Sequence, residues 1–316
     1  MSYPELLDPA ALDLPPRDFV GYGRHVPEVT WPGGARVAIN IVLNYEEGAE
    51  YSLADGDGVN DAWGEYTYEV PPTVRDLGTE SHFEFGSRVG AWRLARIFDR
   101  YGIDVTIGAA ALALERNRDF ADWIGESGND VIGHGYRWTE DSRIPREQER
   151  ELIERAVESI ERTTGQRIRG WYVRSFPSVH TRSLLVENGG FLYDSDAMND
   201  ELPYWAPVGD GRFLVVPYSK VTNDVKYFVP PYYARPADFF ENLKLALDTM
   251  LRESAEGHGG RMMTVGLHAR WSGQAARSTA VADFIEYALQ VDGAAFLRRV
   301  DIAEHWASAF APGNAA

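Results

Sequence analysis

Apolar residues first gather at positions 35–44, a short run rich in β-branched side chains whose one charged member is Arg36. Such runs read as strands buried on both faces. This one stops at Tyr45-Glu46-Glu47-Gly48. A different period follows. Between Ser87 and Tyr101, the residues Val89, Trp92, Leu94, Ile97 and Phe98 recur at roughly helical spacing, and Gly102 supplies a stop signal. The two patterns then alternate. Strands are expected at 103–107, 169–173, 213–216 and 262–267, with strand ends at 130–134 and 193–195. Helices are expected at 118–128, 145–164, 179–188, 236–256 and 276–290. Alternation of this kind predicts an α/β fold with a mainly parallel sheet and right-handed crossovers, open or closed into a barrel.

Two stretches break the alternation. Residues 1–34 are rich in Pro, Asp and Gly and read as an N-terminal arm packed on the barrel. Residues 49–80 are polar and Gly-rich, too long for an ordinary connection, which points to a functional loop or an interface arm. No linker, repeat or low-complexity tract divides the chain, so residues 1–316 are read as one domain.

Composition narrows the function classes. The formal net charge of −17 argues against nucleic acid and against an anionic membrane surface, both of which call for a basic face. With no cysteine there is no disulfide framework, thiolate metal site or thiol nucleophile. Met1-Ser2-Tyr3-Pro4-Glu5 lacks the basic and apolar regions of a signal peptide, and no window approaches a membrane span. A cytoplasmic location and a small-molecule substrate are the expectations.

The unusual polar residues have a common address. Glu46 and Glu47, His134, Arg174, Asp194 and Asp196, and His268 all fall at or just past the C-terminal ends of expected strands. In parallel α/β folds that edge carries the active site. Alone, a Glu pair is usually solvated surface and a strand-end His a hydrogen-bonded loop residue. Their joint occurrence on one edge favours a hydrolytic site.

These residues carry a resemblance. Leu43-Asn44-Tyr45-Glu46-Glu47-Gly48-Ala49-Glu50, Phe85-Gly86-Ser87-Arg88, Gly133-His134-Gly135-Tyr136-Arg137-Trp138, Gly170-Trp171-Tyr172, Tyr193-Asp194-Ser195-Asp196, Pro217-Tyr218, Thr222-Asn223-Asp224 and Gly266-Leu267-His268 occur in this order. Over nearly its whole length the chain resembles the polysaccharide deacetylase superfamily (carbohydrate esterase family 4-like). It most resembles the branch of metal-independent allantoinases and cyclic imide hydrolases. The resemblance implies a distorted parallel (β/α) barrel of about seven strands and a homo-oligomer, often a tetramer. It places Glu46 as catalytic base, Glu47 at a metal-ligand position, and His134 as the first His of a His-x-x-x-His motif whose second position is Trp138. It implies Arg174 as partner of the base, Asp194 or Asp196 as the acid of the fourth motif, and His268 as general acid.

Replacing a ligand His by Trp removes one of the three protein ligands a catalytic zinc needs, because an indole N–H only donates. Glu47 and His134 alone would hold zinc weakly, with Glu50, Asp141 or His82 as conceivable substitutes. The expectation is therefore no cofactor, with zinc as the alternative. Without a metal, Glu46 would direct a water at a carbonyl and His268 would protonate the leaving nitrogen, while Arg174, Arg88 or backbone N–H groups stabilise the oxyanion. Trp138 and Trp171 are expected as pocket walls, with His134 and Glu47 toward substrate. An activated ring amide or imide suits such a site better than an N-acetyl group, where metal polarisation matters more. The expected function is hydrolysis of a carbon–nitrogen bond in a small cyclic amide or imide. The alternatives are a metal-dependent deacetylase of N-acetyl sugars or peptidoglycan fragments, and an inactive barrel that only binds.

Overall fold

The structure is a computed structural model that describes residues 17–65, 70, 71, 73–140, 144–230 and 232–312. Residues 1–16 of the expected arm and Asp141 lie outside the described residues. The strands are β1 (Val37–Tyr45), β2 (Thr106–Ala109), β3 (Asp130–Gly133), β4 (Gly170–Trp171), β5 (Tyr193–Asp194), β6 (Tyr204–Val208), β7 (Gly211–Val215), β8 (Arg261–His268) and β9 (Ala294–Phe296). The path β7-β5-β4-β3-β2-β1-β8 is parallel throughout. The hairpin strand β6 adds antiparallel to β7 at one edge, and β9 pairs with the start of β1. The fold is thus the expected distorted (β/α) barrel. The β6 strand was not expected. It contains Pro207, which an edge strand tolerates because one side of it makes no ladder.

Among the described residues no ladder joins β8 to β7. The segment after β7 closes that side instead. Tyr218 N–H donates to Ala197 O (2.7 Å), and Gly266 N–H on β8 donates to Thr222 O (3.0 Å). Asn223 forms an isolated bridge with Gly266.

The phase of β1 decides what reaches the site. Every residue of the strand is buried. Val37, Ile39, Ile41, Leu43 and Tyr45 belong to the core under the surrounding helices, whereas Ala38 and Val42 belong to a second cluster inside the barrel. Alternation with period two makes Ala38, Asn40, Val42 and Asn44 the inward row, and Glu46 continues it. Each buried aliphatic contributes roughly 1.5–3 kcal/mol, so a one-residue slip that reversed the row would be prohibitive. The same alternation in β8 sends Met262 to the inner cluster and Met263, Val265 and Leu267 outward.

The helices form where the sequence pattern predicts them, with several short elements and helices besides. The expected 49–80 loop contains a short turn at Leu53–Asp55 and ends in a helix, Leu77–Phe85, whose N-cap Asp76 accepts from Thr79 N–H (3.0 Å). Helices Ala111–Arg116 and Arg299–Ala309 are likewise additional. From the arm, Val29 and Trp31 pack against Ile302 and Trp306, and Trp31 Nε1 donates to Arg261 O (2.8 Å). Among the described residues no helix is long and apolar enough to cross a membrane.

Candidate active site

At the C-terminal mouth of the barrel lies a cavity of about 290 Å³. Trp63, Trp138, Tyr172, Phe176 and Trp271 supply its walls, and Glu46, His134, Arg174, Asp196, Lys220 and His268 its charged or titratable groups. Trp63 comes from the 49–80 segment, so that segment covers the site in its own chain.

Glu46 is the centre of the cluster and is 1% exposed. Its Oε2 accepts from Arg270 Nη1 at 2.7 Å, while its Oε1 lies 3.2 Å from His134 Nε2 and 3.5 Å from His268 Nε2. Burial alone would raise this carboxyl. Arg270, His268 and His134 together outweigh it and hold Glu46 well below the usual carboxylate range. His268 is fixed from behind by Asp224, which is fully buried. Its Oδ1 lies 2.6 Å from His268 Nδ1, and its Oδ2 accepts the backbone N–H groups of His268 (2.7 Å) and Ser272 (3.2 Å). With Nδ1 committed to a carboxylate, Nε2 is the nitrogen presented to Glu46 and the cavity.

Glu47 is not in the cavity. The inward row ends at Glu46, and its neighbour turns outward against Gly86, where a Cβ would approach Glu47 Oε1 to 2.6 Å. Glu47 Oε2 accepts from Glu46 N–H (3.0 Å), and its Oε1 accepts from Arg270 N–H (3.2 Å). Burial pushes its carboxyl up, against the pull of Arg270 and with the Glu46 charge adding to the rise.

Glu46 is therefore paired with Arg270, not with Arg174 as the resemblance implied. The β1–β8 register ends with Asn44 opposite His268, and the short helix Ala269–Ser272 that follows β8 carries Arg270 to Glu46. Arg174 does line the cavity, but its guanidinium is spent on Asp61 (2.5 Å), on Trp138 O (3.0 Å) and on the Trp138 ring (3.8 Å). Arg88 is on the outer face of the barrel, largely exposed, 3.9 Å from Glu84. It cannot stabilise an oxyanion in this cavity. Trp171 packs in the outer core against Phe191. The next residue on its strand, Tyr172, faces inward and takes the wall position instead. Asp194 also faces away and holds Arg182 (2.6 Å), whereas Asp196 reaches the cavity. One Asp196 oxygen accepts from Val173 N–H (2.9 Å) and the other is buried without a partner among the described residues. Burial, and then Asp194, push its carboxyl well above the ordinary value. Arg270, Asp224 and Asp61 were not singled out from the sequence. The motif Thr222-Asn223-Asp224 was the available signal for one of them. The other two needed the fold.

The donor set does not fit a catalytic zinc. Among the described residues no group of three or more His, Asp and Glu side chains is placed to hold a metal ion. The positive charge between the two glutamates is already supplied by Arg270, with Nη1 at 2.7 Å from Glu46 and 3.5 Å from Glu47. His134 Nε2, the nitrogen that would have ligated, is already enclosed by Glu46 Oε1 (3.2 Å) and Trp138 Nε1 (3.0 Å), while Nδ1 faces Tyr172 O (3.2 Å). Of the proposed substitutes, Glu50 accepts from Gly48 N–H (2.6 Å) and His82 lies 3.7 Å from Glu65.

Comparisons with known proteins agree with the fold. The family model for polysaccharide deacetylase matches residues 80–178. A putative polysaccharide deacetylase of Schizosaccharomyces pombe is 32% identical over 312 residues, 92% of this chain and 97% of that protein. The crystal structure of a probable polysaccharide deacetylase from Pseudomonas aeruginosa PAO1 superimposes with a TM-score of 0.88 at 39% identity, covering 93% of this chain and 99% of that one. The crystal structure of Puue allantoinase gives the same score and identity over 93% and 98% of the two chains.

Proposed function

This chain belongs to the polysaccharide deacetylase family, a family of hydrolases, and on that premise we propose that it hydrolyses the carbon–nitrogen bond of a small cyclic amide or imide of the allantoin type. The observation that carries the reading is Arg270. A guanidinium fixed between Glu46 and Glu47 supplies the charge balance of the site without an open coordination position. Such a site polarises no carbonyl by direct ligation, so it suits a ring whose amide is already activated. The small cavity with indole and phenol walls fits a planar ring better than a sugar chain, and the similarity to Puue allantoinase supports the same substrate class.

In this mechanism Glu46 is the carboxylate, held well below the usual range by Arg270, and it holds the attacking water through Oε1. A carboxylate so strongly depressed is a weak base. The water proton therefore does not rest on Glu46 but moves on to His268 Nε2, 3.5 Å away, as the oxygen bonds to the carbonyl carbon. Asp224 stabilises the imidazolium that results. His268 then gives the proton to the ring nitrogen as the carbon–nitrogen bond breaks, leaving the neutral imidazole.

The test is a panel of allantoin, hydantoin, succinimide, dihydrouracil and N-acetylated chitooligosaccharides, assayed with and without a chelator. Chelator-insensitive turnover of a ring substrate is expected, with Glu46→Gln lowering kcat by roughly 100- to 10,000-fold. Turnover of the acetylated sugars alone, abolished by the chelator and restored by zinc, overturns the reading.

A further inference from the structure

With Arg88 outside the barrel and Arg174 held by Asp61, neither arginine expected at the oxyanion is a free donor for the oxygen that gains charge when water adds to a carbonyl. The cavity floor holds one. Asn44 Nδ2 donates to Tyr218 Oη at 3.0 Å, and Asn223 Nδ2 donates to the same oxygen at 3.2 Å. Neither amide can be turned around. Asn44 Nδ2 also donates to Leu267 O (2.9 Å), and Asn223 Oδ1 accepts from Val225 N–H (2.8 Å). Both of those partners are backbone groups of fixed polarity.

A phenolic oxygen offers one donor and two acceptor positions. Two N–H groups fill the acceptor positions, so the hydrogen must be given elsewhere. Tyr218 is 8% exposed, lines the cavity, and has no acceptor for its hydrogen among the described residues. The arrangement is built into the strands. A Cβ on Gly266 would come within 2.1 Å of Asn223 Nδ2 and 2.5 Å of Tyr218 Oη, so a glycine in β8 makes the room for both. Tyr172 O–H donates to Asn44 Oδ1, and its ring stacks on that of Tyr218 with centroids 5.6 Å apart.

We propose that Tyr218 is a further catalytic residue, whose O–H donates to the carbonyl oxygen of the substrate and stabilises the charge that oxygen acquires in the tetrahedral intermediate. Two N–H donors on the phenolic oxygen strengthen the O–H as a donor by drawing on its lone pairs. The proposal rests on the hydrolytic reading above and adds the group that receives the oxyanion.

The experiment compares wild type and Tyr218→Phe on a ring substrate and on its analogue with sulfur in place of the attacked carbonyl oxygen. Loss of the O–H is expected to lower kcat on the oxygen substrate by roughly 100- to 1,000-fold. KM should change much less. The rate ratio of oxygen to sulfur substrate should shrink by about tenfold or more in the variant, because sulfur accepts poorly from either protein. A structural role would slow both substrates alike, and an unchanged ratio overturns the proposal. If Tyr218→Phe does not fold, 3,5-difluorotyrosine at position 218 keeps both Asn contacts and makes the O–H a stronger donor. The oxygen-to-sulfur ratio must then widen, and a ratio equal to wild type counts against Tyr218. Hydrolysis confined to acetylated sugars defeats the ring-substrate reading while leaving Tyr218 to be judged by the same variant on that acetyl carbonyl. Neither binding nor turnover across the panel by wild type defeats both.

Discussion

Among the described residues two arginines are fully buried in this barrel, and their surroundings are opposite. Arg270 lies between two carboxylates at the mouth. Arg299, at the start of the last helix, meets no carboxylate among the described residues. It donates to Ser195 Oγ (2.7 Å), Asn40 Oδ1 (2.8 Å), Thr264 Oγ1 (3.1 Å) and the carbonyl of Val216 (2.8 Å). Burial lowers the Arg299 guanidinium below its ordinary value, with nearby tyrosines opposing. For Arg270 the same burial is overcome by Glu46 and Glu47, and the guanidinium is raised. One cation is solvated by fixed dipoles that tie β1, β5, β8 and the segment after β7 together. The other sets the charge state of the site. Equal burial therefore says nothing about role. The chemistry of the acceptors does.

Removing each cation should separate those roles. Arg270→Met leaves Glu47 buried with no cation and Glu46 with only His134 and His268, so stability should fall by roughly 3–5 kcal/mol. Activity per folded molecule should fall by about 1,000-fold or more, since Glu46 would then take up a proton at neutral pH. Chemical denaturation and steady-state rates check the pair of effects, and a variant that keeps both stability and kcat would show that Arg270 does not control Glu46. Arg299→Met strands several neutral acceptors, for a loss of roughly 4 kcal/mol. Its kcat on the same substrate should stay within about fivefold of wild type. A kcat loss as large as that of Arg270→Met would erase the distinction between the two.

The smallest effect concerns a buried carboxyl that no guanidinium reaches by a hydrogen bond among the described residues. Burial pushes Glu50 from 4.5 up to about 7. Its folded-state value is raised, so between pH 4.5 and about 7 the folded chain holds a proton that the unfolded chain has lost. Stability from this group is thus lost as pH rises through that window. Glu50→Gln, which keeps the oxygen that accepts from Gly48 N–H, should be more stable than wild type by roughly 3 kcal/mol at pH 8. The difference should close toward pH 4.5, and a gap that persists there would assign it to packing instead of ionisation.

The pattern along the chain carried the strand-helix alternation and the arrival of Glu46, His134, Trp138, Asp196 and His268 in one cavity. These follow from local periodicity and from the rule that strand ends share an edge. Arg174 and Arg270 show where that reasoning stops. Both are strand-end arginines in the sequence, and the resemblance favoured Arg174. The parallel pairing of β1 with β8 and the short helix Ala269–Ser272 after β8 instead bring Arg270 to Glu46, while Asp61, from a loop more than a hundred residues away, claims Arg174.

Trp171 and Tyr172 make the same point within one strand, since a single step of backbone phase sends one into the core and the other to the cavity. The glutamate pair was legible as chemistry in the sequence only together with the other polar residues expected at the same strand ends, since a Glu pair alone is usually solvated surface. Which glutamate faces substrate, which cation balances them, and which phenol is left with a proton to give were decided by the tertiary structure. Register, strand phase and the filling of each lone pair are relations between segments far apart in the chain, and no local pattern encodes them.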